Sequence, residues 1–454
     1  MFASPWGRLG VTVGLASVTQ ALFHIPIMGI DAHSVAALGG QLLNLSVGAL
    51  GILPIINAFL IVEIGALLKS RWREIRVSGA QGRARMTRVA RGVALVLAAA
   101  QSFGLCLYLE GISPWVAPAV SNPGWEFRAT TMITLVGATA LLMVIADAIG
   151  RFGVGNGYSV LIAVGICGQL WRTLGEALDH GPQALVKNVV VLLAIVFVVA
   201  RLLPPRRPKQ RTADGDPYRT ASPKPPSPHP IVRPLPSGTL PLTDVAAVLI
   251  WISSIPVLLG DGEPTTALAV GAPSFEAWGA WLVVGLTLLF AVLFHSPRRI
   301  AELRAKVLGF EDAGAVVAKA KRRWVPQVIV AVLALTGAWW VQNWLWRTDE
   351  LRVELLEGVV LAAVLLDIFH EMRARRLLND AVVVGELHRI YALDVALALL
   401  EREGIQAAPR TVFHRTLLQF FGPYLPLQLL VPRQDAKRAR KLLRRVTSRP
   451  RRRR

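Results

Sequence analysis

The sequence predicts an all-α polytopic membrane protein with ten transmembrane helices, followed by a small α+β domain near its C-terminal end. Three observations predict it. Long apolar stretches recur through the first 370 residues, and the whole chain is 53% hydrophobic with a mean hydropathy of +0.48, above what a soluble domain shows. Lys and Arg gather in alternate loops between those stretches. Lys69 to Arg91 holds Lys69, Arg71, Arg73, Arg76, Arg83, Arg85, Arg88 and Arg91, whereas Asp31–Ser46 and Leu109–Phe127 hold none. After His370 the apolar character ends and the periodicity changes.

Each span needs about 20 apolar residues, and ten segments qualify: Leu9–Ile30, Val47–Leu68, Val89–Leu109, Ala129–Ile149, Tyr158–Leu174, Val186–Leu203, Leu242–Leu259, Ala277–Phe294, Pro326–Trp346 and Val353–Phe369. Loops that stay on the cytoplasmic side retain Lys and Arg, because translocating them is costly. Placing Lys69–Arg91, Arg201–Arg233 and Arg298–Arg323 inside puts both termini in the cytoplasm and makes every loop alternate. Arg347 and Arg352 fall on the outer side, among Asp349, Glu350, Glu354 and Glu357. The expected location is the plasma (inner) membrane, with a multi-pass topology and no cleaved signal peptide. Trp115, Trp125, Trp171, Trp278, Trp324 and Trp346 lie at the edges of apolar runs, where an indole sits at headgroup level. The net charge of +21 would point to nucleic acid in a soluble protein. Its placement here points to anionic lipid or a ribosome. Cys106 and Cys167, the two cysteines, both lie in apolar segments and predict inert thiols.

Between Arg201 and Leu240 the composition turns to Pro, Arg, Lys and Ser, with PPRRP and SPKPPSPHP. Proline removes donors and favours extended chain, so residues 204–241 read as a cytoplasmic linker. It separates residues 1–203, carrying spans one to six, from residues 242–375, carrying spans seven to ten. In the C-terminal part, VVVGELHRIYALDVALALLEREGIQAAPRTVF reads as strand, helix, strand, and LPLQLLVPRQDAKRARKLL as strand then helix. Residues 380–446 therefore form an α+β module, and 447–454 a basic tail facing anionic lipid. No span is expected to depend on that module.

The sharpest local signal is Pro54 in GGQLLNLSVGALGILPIINAFLIVEI. A proline inside a helix removes a backbone hydrogen bond, and in a membrane such a break is tolerated where it is buried or lines a cavity. A half-inserted segment followed by a short helix, and an ordinary kinked span, both satisfy this stretch.

Several segments together resemble the SecY family of protein-conducting channels. They are IPIMGID at Ile25–Asp31, ALGILPIINAFLIVEI at Ala49–Ile64, ARMTRVARGVALVLAAAQSFG, NPGWEF with RFGVGNGYSVLI at Arg151–Ile162, SPRRIAELRAK at Ser296–Lys306 and VVLAAVLLDIF at Val359–Phe369. They cover residues 8 to about 375 in the family's order. The resemblance implies a clam-shell of two five-helix halves around an hourglass pore for unfolded polypeptide. It implies a constriction of branched apolar side chains at Ile52, Ile56, Ile162, Ile250 and Val360; such a neck dewets and blocks ions without gripping a passing chain. Tyr158 stands where the family has an aliphatic residue. A plug over Gly39–Ser46, with Gly39, Gly40, Leu42, Leu43 and Ser46, would close the external funnel, and Asn57 and Gln101 match positions at the lateral gate. Interhelical hydrogen bonding would equally explain two buried polar residues there.

The resemblance also implies SecE-like and SecG-like subunits, and a SecA-type motor or the ribosome as the driving partner. The Pro-rich linker replaces the family's basic hairpin, and GFEDAGAVVAKAKRRW at Gly309–Trp324 lacks its usual turn, leaving Lys319, Lys321, Arg322 and Arg323 as the partner contact. Val382–Leu443 resembles a family of small signal-transducing domains with a ferredoxin-like fold. No catalytic constellation is present: the eight histidines lack metal-ligand spacing, and GVGNG at Gly153–Gly157 is not followed by the GK[ST] of a phosphate loop. No enzyme activity, metal or cofactor is expected. Two other readings remain open, a broken-helix solute transporter and a degenerate channel homologue acting as a membrane-anchored binding module. Few acids fall in the spans, namely Glu63, Asp147 and Asp367 near span ends, which suits a peptide pore better than ion-coupled transport.

Overall fold

The computed structural model of the chain describes residues 4–30, 45–69, 71–72, 75, 80–111, 120–202, 273–294, 296–308, 313–346, 355–387, 390–417 and 424–447. The linker, the seventh expected span, Ile250, the plug residues Gly39, Gly40, Leu42 and Leu43, and the terminal arginines lie outside them. The chain divides into two compact units, Met1–Gly168 with Pro423–Leu425, and the remainder.

The first unit begins with α1 (Pro5–Leu22), whose N-terminus combines Pro5 in the first turn with a Ser4 hydroxyl that accepts from the Gly7 N–H at 3.0 Å. It ends eight residues earlier than the apolar run does, and the chain from Phe23 to Ile30 turns and pairs with other segments, at Pro26 with Ser46 and at Ile30 with Val120. The second expected span starts late: α2 covers Leu53–Leu68, with Pro54 in its first turn. There proline has no intrahelical bond to lose. Residues 47–52 form turns, with Gly51 at φ +52. The kinked-span alternative is thereby excluded. α3 (Ala80–Gly111), α4 (Trp125–Phe152) and α5 (Gly157–Asp179) follow, with α3 packed on both α2 and α4. The 32 residues of α3 make about 48 Å of helix, well beyond a hydrocarbon core of roughly 30 Å. Its first turns, with Arg83, Arg85 and Arg88, are the excess.

The second unit holds the rest of α5 with α6 (Pro182–Leu202), α7 (Pro273–Phe294), α8 (Pro297–Leu308), α9 (Ala313–Trp346) and α10 (Leu355–Leu377). α6 packs on α10, and α7 on α9 through Ala280, Val283, Leu335 and Trp339. The stretch 313–324, expected as a loop, is helical, and α9 continues through Pro326. Ala-rich spacing drives this: Ala320 packs fully buried against Ala301 of α8.

Among the described residues four helices are long and apolar enough to cross a membrane, over Gln81–Leu107, Trp125–Phe152, Pro182–Ala200 and Ala320–Val341; Leu53–Ala66 and Gly279–Val292 are shorter apolar helices. Their outward faces carry large exposed apolar groups, Val96, Ile133 and Leu333 among them, as lipid contact requires. Cys106 is buried and Cys167 exposed, both as free thiols.

The C-terminal module is β1 (Ala381–Leu387), α11 (Tyr391–Arg402), β2 (Ala408–Arg410), α12 (Val412–Leu417), β3 (Leu427–Pro432), a 3-10 turn at Arg433–Asp435 and α13 (Ala436–Thr447). The sheet order is β1-β3-β2, with β3 antiparallel to both neighbours, which is what a split βαβ unit followed by a hairpin strand produces. Val412 and Phe413, read from sequence as strand, start a helix instead.

Candidate functional site

In the first unit, α2 buries Ile55, Ala58, Phe59, Val62 and Ala66, while Leu53, Ile61 and Ile64 are exposed. Ile52 and Ile56 lie between these two sets and are half-buried. They are one turn apart, the Ile52 carbonyl accepting from the Ile56 N–H at 3.1 Å. On α5, Tyr158, Val160 and Leu161 are buried and Ile162 is half-buried. The two helices meet where the Phe59 and Tyr158 rings pack edge to face, centroids 5.1 Å apart.

Tyr158 does more than fill space. Arg91 of α3 donates to its phenol oxygen at 3.2 Å and to Asp147 of α4 at 2.6 Å, so one guanidinium ties three helices. That accounts for an aromatic residue at an otherwise aliphatic position. It also accounts for Asp147, which is half of an ion pair. The turn before α5 is held from α1: the Thr12 hydroxyl accepts from the Val154 N–H at 2.8 Å, and the Arg8 guanidinium donates to the Arg151 carbonyl at 3.3 Å. Gly155 sits at φ +83 in this turn, a conformation that L side chains rarely adopt. GVGNG is thus a helix-to-helix turn, as its sequence implied.

Asn57 and Gln101 are both half-buried, on α2 and α3. Neither side chain makes a hydrogen bond among the described residues. Of the five residues expected to form a plug, Ser46 alone is described; it is buried and pairs with Pro26. At the opposite end of α3, Glu110 accepts from the Gly124 N–H at 2.9 Å and from the Arg128 Nε at 2.8 Å. The Arg128 guanidinium, then the Gly124 N–H, holds the Glu110 carboxyl below the usual carboxylate range. A group of this kind stabilises the fold above its ordinary pKa, and the contribution disappears as pH falls through the lowered one. Thermal unfolding in detergent between pH 7 and pH 3 should therefore show an acid-labile component that Glu110→Gln removes; an identical pH profile for the variant would show that the clamp contributes nothing.

In the second unit, Val360 is buried on α10, the helix that packs on α6. Lys321, Arg322 and Arg323 are exposed near the start of α9, with Lys319 one turn earlier in the same helix. Sequence reasoning missed the far end of α10. Two turns beyond Val360, the Asp367 carboxylate accepts from the backbone N–H groups of Phe413 and His414, each at 2.9 Å, capping α12 from another element. One turn further, Glu371 is fully buried and accepts from Arg375 at 2.8 Å and from Arg410 of β2 at 2.6 Å. Arg410 also donates to Gln428 of β3 at 2.8 Å. The His370 ring stacks on Phe413 at 5.1 Å. Burial pushes the neighbouring His414 imidazole down to about 3, so it is neutral at physiological pH. The module in turn builds its core on the end of this helix: Ala374 in the last turn of α10 and Leu378 just beyond it pack with Ala408 and Leu430. The signal was present as an acidic pair, Asp367 and Glu371, at helical spacing in an apolar run.

The family model for SecY matches residues 46–302, more than half of the chain. The chain belongs to the SecY family. Protein translocase subunit SecY of Escherichia coli K12 is 32% identical over 209 residues, covering 42% of this chain and 47% of that protein. The Rickettsia bellii subunit of the same name is 31% identical over 175 residues, covering 35% and 40%. The chain thus spans about half the length of the curated relatives it matches. Solved structures with the same fold include "The structure of a protein conducting channel", at TM-score 0.51 and 12% identity, and "Sec61 in the Canine ribosome-channel complex from the endoplasmic reticulum", at TM-score 0.52 and 14% identity. Both alignments cover 82% of this chain and 92% of the other. The SecY match lies upstream of the C-terminal module.

Proposed function

We propose that this SecY-family chain is the channel subunit of a protein translocase, conducting unfolded polypeptide across a membrane and releasing apolar segments into it. The observation that carries the reading is the set of branched apolar side chains just before α2, on α2 and on α5 that are neither packed away nor turned outward: Ile52, Ile56 and Ile162. Alternating spans run α2 and α5 in opposite directions. One turn back from Phe59 to Ile56 and one turn on from Tyr158 to Ile162 then lead the same way from the ring contact. In this reading Ile250 and Val360 complete the constriction, Gly39, Gly40, Leu42, Leu43 and Ser46 belong to the plug, and Asn57 and Gln101 border the exit to lipid. Their lack of hydrogen bonds among the described residues favours a gate over interhelical bonding. Both termini lie in the cytoplasm, the Pro-rich linker joins the two halves of the channel, and the C-terminal module is a ferredoxin-like domain.

SecE-like and SecG-like subunits would complete the assembly in the plasma membrane. Lys319, Lys321, Arg322 and Arg323 would meet the driving partner, a motor or a ribosome; the ribosome is named with the canine Sec61 neighbour. The transporter reading is weaker, because Asp147 and Asp367 are committed to Arg91 and to α12. A photo-cross-linking residue in place of Ile56 should capture a stalled, unfolded preprotein in membranes, whereas the same residue in place of the exposed Leu53 should capture lipid. Capture of lipid alone from position 56 would overturn the reading.

A further inference from the structure

We infer that the outer face of α13 is a docking surface for the anionic phospholipid headgroups of the adjacent leaflet. This rests on reading α7 and α10 as membrane spans. The helix is amphipathic in an unusual proportion. Ala436, Ala439, Leu442, Leu443 and Val446 are buried in the module, with Gly385 of β1 leaving the space that the Leu443 side chain occupies. Lys437, Arg438, Arg440, Lys441 and Arg444 are exposed. Among the described residues one of them is engaged by an acid, Arg438 with Glu403 at 3.1 Å. The sequence after Arg444 adds Arg445, Arg449 and Arg451 to Arg454 with no acidic residue.

Two physical arguments fix the kind of partner. Because its apolar face is consumed by the module, α13 cannot roll into a bilayer as a free amphipathic helix does; its remaining chemistry is a rigid cationic face. Guanidinium groups dominate that face and match phosphate oxygens in paired geometry. Position then selects the phosphate. α8 starts at Pro297, directly after α7 ends at Phe294, and it packs on both α11 and α13. α10 passes into β1 between Leu377 and Ala381. The module is pinned beside the bilayer at two points, so headgroups are a tethered, intramolecular partner for it. A structured RNA offers the same phosphates but has to be brought there.

The test uses the full chain in nanodiscs of phosphatidylcholine, with and without phosphatidylglycerol, and a nickel-chelating lipid in both. A spin label at Gln434→Cys, in a background of Cys106→Ala and Cys167→Ala, reports proximity to headgroups without removing a cation. Phosphatidylglycerol should increase relaxation of the label several-fold. The increase should vanish in high salt, and in Lys437→Glu/Lys441→Glu/Arg444→Glu, whose apolar face is intact and whose strands should stay protected from hydrogen exchange. Equal relaxation in both lipids would overturn the proposal. So would a label that ignores phosphatidylglycerol and responds to added ribosomal RNA, which would make α13 an RNA surface. Loss of the chain from carbonate-washed membranes would instead refute the membrane-spanning reading itself.

Discussion

Replacing Glu371 with alanine should release the C-terminal module from α10 while leaving the chain membrane-bound. Glu371 is 1% exposed and takes hydrogen bonds from two guanidiniums, Arg375 and Arg410, which are themselves largely buried. Removing the carboxylate leaves two like charges together in a low-dielectric core, and breaking a buried pair in this way costs about 3–5 kcal/mol. A domain of this size has only about 5–15 kcal/mol of stability in total. Hydrogen exchange should then accelerate across β1, β2 and β3. The double variant Glu371→Met/Arg410→Met should lose less than the two single variants summed, because it removes one of the two orphaned charges along with its partner and leaves Arg375 as the other. Additive losses would mean that the pair is incidental to docking.

The second large effect is expected at the proposed neck. Ile56→Gly and Ile162→Gly together delete two branched side chains from a constriction whose seal depends on dewetting. A correctly assembled double variant in planar bilayers should pass ions in the resting state where the parent does not. The parent's resistance follows from apolar width alone, so Ile56→Leu/Ile162→Leu should remain tight. Unchanged conductance in the glycine variant would remove these residues from the neck.

What was legible in the sequence followed from periodic physics. Apolar length located α1 to α7, α9 and α10, and the strand–helix alternation after Asp380 matched the three-stranded module. Errors clustered where a local rule had two solutions. Pro54 can break a helix or begin one, and only the turn around Gly51 decides which. The basic stretch before Trp324 looked like a loop because charge suggested exposure, yet Ala320 needed a helix to reach Ala301. Tyr158 looked anomalous until Arg91, 67 residues away in sequence, was brought to its hydroxyl and to Asp147. Long-range pairing of that kind has no periodic signature. The same holds for Arg410, whose partner Glu371 lies 39 residues earlier.

The junction at Asp367 and Glu371 has a mechanical meaning. From Val360 to Leu377, α10 contains neither glycine nor proline, so it bends little over that length. Glu371 stands eleven residues beyond Val360, about 16 Å along the helix. The module is clamped there by an ion pair, a helix cap and a shared apolar core, and not hung on a flexible tether. A pull or push on the module therefore arrives at Val360 as a tilt or twist of a stiff rod. Lipid that grips the module would act as a hand on a crank whose shaft runs to Val360.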